Sequence, residues 1–316
     1  LNQVHRPKFP IALFGLAVVL TVLGIAMQYL VYTHLTPDTA ILSDTYLQRT
    51  ILYNAIGLGL LLLCIFGNYM YLAKGAWILL AIFLLGLLPP WFFGFYGRQY
   101  TLCYYLALVY PLVYALLLYR LRDKGAKAIW FLHGLTLLFL VRMLFGTIIT
   151  WSTVLAAGCL TLLLLCLAIH RGILTGSSKR TLWLLTVLPY VAAAACFVIL
   201  FFQNSYMRDR LTEFLKGSNY VQQMLALEQQ QMLAFGGGTI SSYVELGDVY
   251  KRQVLHSIFL WFGIVSGILV IVALAVLVLR SLHYALHQSN RLALLAGTAA
   301  SGILLFELLH FVPVSY

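Results

Sequence analysis

The sequence predicts an all-α fold: a polytopic membrane helix bundle of about nine transmembrane helices, with one large extracytoplasmic loop between helices 7 and 8. Three observations carry this prediction. First, 62% of the 316 residues are hydrophobic and only 9% are charged, with a mean hydropathy of +0.94. A soluble domain carries roughly a quarter charged residues, and here the excess apolar surface would have no core large enough to enter. Second, the apolar residues fall in long runs, and a spanning helix needs about 20 such residues in succession. Third, the bases lie between those runs, as they do in loops that flank a membrane.

Taken in order, the runs place spans at Phe9–Val31, Ile51–Phe66, Ala76–Phe93, Leu102–Tyr119, Ala128–Leu144, Ile148–Ile169, Leu182–Phe202, Val254–Leu279 and Leu292–Val312. The first run is too long for the apolar core of a signal peptide and has no small-residue cleavage site after it, so it reads as a first span. The second and fifth are short. Almost nothing separates the fifth from the sixth, which reads as a tight hairpin or a kinked, re-entrant unit. Pro89, Pro90, Pro111 and Pro189 sit in or near spans. There a proline removes a helix donor, and neighbours must satisfy the carbonyl it frees.

Charge sets the expected orientation. With the N-terminus inside, the inner loops hold Arg6, Lys8, Lys74, Arg120, Arg122, Lys124, Lys127, Arg171, Lys179, Arg180, Arg280 and Arg291 against one acid, Asp123. The outer loops hold seven bases and seven acids. Excess Lys and Arg in short loops marks the cytoplasmic side. The net charge of +11 is spread over these loops and forms no single face, which excludes a nucleic-acid partner. All five cysteines lie in apolar segments without a CxxC pair and read as small core hydrophobes.

The expected organisation is one polytopic domain over residues 1–316, with residues 203–253 as the extracytoplasmic loop. Tyr206–Leu215 and Tyr220–Phe235 have amphipathic helical spacing, and Gly236-Gly237-Gly238 ends it. Such segments lie along a membrane surface with the apolar face down. Charges gather at both ends of the loop: Arg208, Asp209, Arg210, Glu213 and Lys216 at the start, Glu245, Asp248, Lys251 and Arg252 at the finish. Within the spans, Arg142 lies near an outer end, where it either snorkels to the interface or serves a site. Glu307 is deeper, with His310 as its nearest polar neighbour in sequence. His133 and His256 read as satisfied structural histidines. His283 and His287 share a helix face but read as an interfacial pair, not as metal ligands.

The order of segments from Ile41 to Val312 resembles the SEDS family (shape, elongation, division and sporulation), the FtsW/RodA/SpoVE cell-cycle proteins. LQRTILYNAIGLGLLLLCIFGNYMYLAKGAWILL (Leu47–Leu80) is similar to that family's second and third helices, with Asn68-Tyr69 where Asp-Tyr is usual. LFGTIITWSTVLAAGCLTLLLL (Leu144–Leu165) is similar to its LGTA helix, although Arg142-Met-Leu replaces the Gln-Pro-Asp before it. YMRDRLTEFL (Tyr206–Leu215) resembles the entry into the family's large loop, and NYVQQMLAL followed by FGGG resembles the stretch after it. WFGIVSGILVIVALAVLVLRSL (Trp261–Leu282) resembles the helix after its catalytic loop. The family has ten spans against nine here, and the chain ends at Tyr316 without a tenth, so a truncated or divergent member is expected.

The resemblance implies a peptidoglycan glycosyltransferase in the bacterial cytoplasmic membrane, polymerising lipid II, the undecaprenyl-linked precursor, at the outer face. The implied protein partner is a class B penicillin-binding protein, and the process is division, elongation or sporulation. No cofactor is assigned, and a divalent cation is the candidate. The alternatives are a non-catalytic divisome or elongasome scaffold and a flippase or transporter of lipid-linked precursors. The reaction needs a general base for the attacking hydroxyl and cations for the leaving pyrophosphate. In the family the base is an aspartate shortly before the eighth helix. With Gly263 aligned on that helix's glycine, Arg252 occupies the aspartate's position and Asp248 is the nearest carboxylate. Three readings follow: the loop is remodelled and Asp248 is the base; the activity is lost; or Asp248–Gln253 is a sequence fault at a junction, since a transposon end used in sequencing libraries encodes the same residues. On the first reading Arg210, Lys216 and Arg142 are the substrate-binding cations.

Overall fold

A computed structural model describes residues 11–35, 44–66, 70–88, 99–144, 151–203, 205, 208, 209, 212, 234, 235 and 254–314. Among them the chain is all-helical, without a strand. The helices are α1 (Ile11–Leu35), α2 (Asp44–Phe66), α3 (Met70–Lys74), α4 (Ala76–Leu87), α5 (Gln99–Arg120), α6 (Ala126–Leu144), α7 (Trp151–His170), α8 (Lys179–Gln203), α9 (Val254–Leu286) and α10 (Arg291–Val314), with a 3₁₀ turn at Arg122–Lys124. Among the described residues, four segments are long and apolar enough to cross a membrane: Ile11–Leu30, Ala126–Met143, Phe262–Leu286 and Arg291–Leu309. Ala76–Leu87, Tyr104–Arg120 and Ala156–His170 are shorter apolar helices.

The surface is that of a helical membrane protein. Ile78, Ile82 and Leu85 of α4, Leu137 of α6 and Leu184, Leu188 and Val191 of α8 all face outward, while Thr136, Thr161, Thr186, Thr298 and Ser301 are buried. In water this pattern would place large apolar patches against solvent. In a bilayer the outer face meets lipid, and the interior supplies the hydrogen bonds that lipid cannot.

Two compact units emerge, Leu1–Gly67 with Gly217–Arg280 and Phe311–Tyr316, and Asn68–Lys216 with Ser281–His310. In the first, α1 packs on α2 and Met27 is its most enclosed α1 residue. The second holds the main core. There α5 is central, packed on α4, α6 and α7, with Tyr110, Tyr114, Leu117 and Leu118 fully enclosed. Tyr110 stacks on Phe139 of α6 at 4.2 Å between centroids and on Phe83 of α4 at 5.6 Å. Lipid tails are as apolar as Leu, so close packing holds these helices together. At Gly86 a Cβ would come within 2.9 Å of Leu106 on α5.

Several helix ends differ from the hydropathy reading. α2 starts at Asp44 and not Ile51, because its first turns are polar and hydropathy does not register them. α4 ends at Leu87 and not Phe93: Leu88 is extended (φ −63°, ψ 145°), the conformation that the ring of Pro89 imposes on its predecessor. α9 runs on past Arg280 to Leu286 and is broken at Gly263 (φ +86°, ψ 170°), a backbone region essentially confined to glycine. The break folds Phe259 onto Gly267, where a Cβ would overlap its ring. Cys159 faces outward and is not a core residue.

Candidate functional site

The second unit has two chemically distinct ends. At one, the α5–α6 and α7–α8 turns meet: the Thr175 amide donates to the Arg122 carbonyl at 2.9 Å, and the Ala126 amide to Ser177 Oγ at 3.0 Å. Arg171 reaches the last carbonyl of α9, Leu286, at 3.3 Å. This is the basic end, with Arg120, Arg122, Lys124, Lys127, Arg171, Lys179 and Arg180 on its turns. The opposite end holds the C-termini of α4 and α6, Glu307 of α10 and the start of α5. It is there that the described candidate groups gather.

Arg142 sits in the last turn of α6. Its Nε donates to the carbonyl of Leu87 at 2.8 Å. That carbonyl is left over because α4 stops before Pro89, so the last-turn acceptors have no helical donor. The guanidinium therefore caps α4, where its charge also suits the helix dipole. Its Nη hydrogens have no partner among the described residues.

Glu307 accepts a hydrogen bond at Oε2 from Tyr104 of α5, at 2.6 Å. Its Oε1 is buried without a hydrogen-bond partner. The sequence pointed to His310, whose side chain lies outside the described residues. Tyr104 lies 203 residues away in the chain, and no local pattern could have revealed it. A shallow apolar groove lined by Ala107, Pro111, Ala157, Leu160, Ile303 and Phe306 runs between α5, α7 and α10, a turn away.

The chain matches no family model, no curated protein and no solved structure.

His133 has a structural task. Its Nε2 donates to the Leu185 carbonyl at 3.0 Å, and Leu185 is the residue whose helical donor would be the N–H that Pro189 lacks. The imidazole replaces that donor, and its ring lies edge-on to Tyr190 at 5.9 Å. Ser266 does the same at the α9 break, donating to the carbonyl of Phe262. The interruptions at Pro89, Pro189 and Gly263 thus each meet a side-chain donor. His283 and His287 stack at 4.1 Å, with His287 Nδ1 donating to the His283 carbonyl at 2.8 Å. No group of three His, Cys, Asp or Glu that could hold a metal occurs among the described residues.

Of the loop charges, Arg208 and Asp209 are described and exposed, with Thr212 bonded back to the Arg208 carbonyl at 2.8 Å. Asp248, Arg210 and Lys216 lie outside the described residues, as do Glu213, Glu245, Lys251, Arg252 and the Gly236–Gly238 triplet. The structure does not bring Arg142 together with Glu307 in an ion pair: Arg122–Asp123, at 3.6 Å, is the one pair among the described residues.

Proposed function

We propose that this chain is a SEDS-like glycosyltransferase that polymerises lipid II at the outer face of a bacterial cytoplasmic membrane. The observation that carries the reading is the order of the family-like segments around the 203–253 connection. In this reading all nine segments span, the N-terminus is cytoplasmic and the long loop is outside. The basic end of the second unit is then its cytoplasmic end, which leaves Arg142 and Glu307 in the outer half. Asp248 is the general base, taking the proton from the attacking sugar hydroxyl. Arg210, Lys216 and Arg142 stabilise the departing pyrophosphate, and a divalent cation would add charge to the same group. The position of Arg142 at the end of α6, with its Nε on the Leu87 carbonyl, supports its part in this set.

The non-catalytic scaffold is the second reading, and Arg252 at the register of the family's aspartate favours it. A transporter needs a continuous polar path, for which Arg142 and Glu307 are the charges available. The purified protein, a class B penicillin-binding protein and labelled lipid II separate the three. Glycan ladders on a gel support the polymerase. Translocation without polymer supports the transporter, and partner binding with neither supports the scaffold.

A further inference from the structure

The basic end is built more rigidly than a membrane-flanking loop requires. Besides the Thr175–Arg122 backbone link and the Ala126 amide on Ser177 Oγ, Thr175 Oγ1 donates to Asp123 Oδ1 at 3.3 Å. Gly125 (φ +53°) and Gly176 (φ +87°) lie against each other: a Cβ on Gly125 would stand 2.8 Å from the Gly176 carbonyl carbon, and one on Gly176 would stand 3.0 Å from the Asp123 carbonyl oxygen. Only glycines allow both the left-handed turns and this approach. The Arg122 guanidinium lies over the Tyr119 ring at 4.6 Å. Asp123, the one acid among the described residues of this end, is engaged by Thr175 and Arg122.

The lock fixes two groups of cations on one scaffold: Arg122, Lys124 and Lys127 on one turn, Lys179 and Arg180 on the other. Lys124, Lys127, Lys179 and Arg180 are exposed. One helical turn further in stand Trp130 and Trp183, 63% and 37% exposed. Tryptophan favours the depth of lipid headgroups, so these cations stand where phosphates of a leaflet lie. The N-termini of α6 and α8 add positive potential. Ser177 already holds the Ala126 amide of α6 and Ser178 the Thr181 amide of α8, and the exposed charged side chains supply the anion contact.

We propose that the locked α5–α6 and α7–α8 turns form a binding site for anionic lipid headgroups, best matched by a lipid that carries two phosphates on one headgroup. The tryptophans favour a lipid over a soluble polyanion, because they place the cations at the bilayer interface and not beyond it. The inference does not depend on the polymerase reading or on which leaflet is engaged.

Native mass spectrometry of the whole chain in neutral detergent, with cardiolipin, phosphatidylglycerol or phosphatidylcholine added, tests it. Cardiolipin should be retained most and phosphatidylcholine least. A Lys124→Gln/Lys127→Gln/Lys179→Gln/Arg180→Gln variant should lose about fivefold in cardiolipin affinity per base, several hundredfold in all at low salt. Cardiolipin binding to the wild type should also weaken as salt rises, a readout that needs no variant. Equal retention by the folded variant, salt-independent binding or equal retention of phosphatidylcholine would overturn the proposal. So would inorganic polyphosphate binding as tightly as the lipid, since that would identify a soluble polyanion as the ligand.

Discussion

Replacing His133 should destabilise the protein only while Pro189 is present. His133→Phe keeps an aromatic ring against Tyr190, 5.9 Å away in the wild type, and deletes the donor held 3.0 Å from the Leu185 carbonyl. That acceptor then has neither imidazole nor backbone N–H. A buried acceptor left unpaired costs about 1–3 kcal/mol, while interhelical hydrogen bonds measured in a membrane protein average roughly 0.6 and reach about 1.7 kcal/mol. The upper part of the second range applies here, because Pro189 has removed the helical substitute. We therefore expect a loss of about 1–1.5 kcal/mol for His133→Phe. In Pro189→Ala protein the restored N–H can take the Leu185 carbonyl, and the same His133→Phe change should cost under about 0.5 kcal/mol. Reversible unfolding in mixed detergent micelles, followed by circular dichroism, measures all four corners of the cycle. Equal costs in the two backgrounds would refute the pairing of imidazole with the proline-freed carbonyl.

Arg142→Met should lower stability by about 1–2 kcal/mol by uncapping α4, with Arg142→Lys intermediate, as read by thermal unfolding in detergent. Gly267→Ala should cost about 1–3 kcal/mol by forcing a methyl into the Phe259 ring, and Phe259→Leu in the same chain should recover part of it. An unchanged melting midpoint for Gly267→Ala would show that Phe259 does not fold back at the Gly263 break. Reporter fusions after Arg122 and within Gly236–Gly238 should read opposite sides of the membrane, and cytoplasmic signals from both would overturn the proposed topology.

Hydropathy made the helices legible because lipid-facing surface is nearly all apolar, so a helix announces itself by composition alone. It was poorer at their ends. The start of α2 at Asp44 carries Gln48 and Arg49, and α9 continues through Arg280 to Leu286; a helix tolerates polar residues where a hydropathy window does not. The prolines were readable as places where carbonyls come free. Their partners were not: His133 and Arg142 reach carbonyls 52 and 55 residues away, and only tertiary packing joins them. In sequence Gly263 is a point of register within a continuous apolar run, yet it is where the helix breaks. For Glu307 the sequence offered a neighbour one turn along, while the hydrogen bond comes from another helix. Arg142 was legible as an ionisable group at membrane depth, and the structure adds what its Nε does. The loop charges that complete the proposed site, Asp248, Arg210 and Lys216, rest on resemblance and charge and fall outside the described residues.

The rate of lipid II polymerisation by wild-type and Asp248→Asn protein, each with a class B penicillin-binding protein, tests the proposed polymerase most directly. Loss of a general base lowers a rate by about 10²–10⁴. Glycan ladders should therefore form with the wild type and nearly vanish with Asp248→Asn, while melting behaviour and partner binding stay unchanged. Polymer formed at the wild-type rate by Asp248→Asn would contradict the assignment, and a wild type that binds its partner but makes no polymer would contradict the polymerase itself.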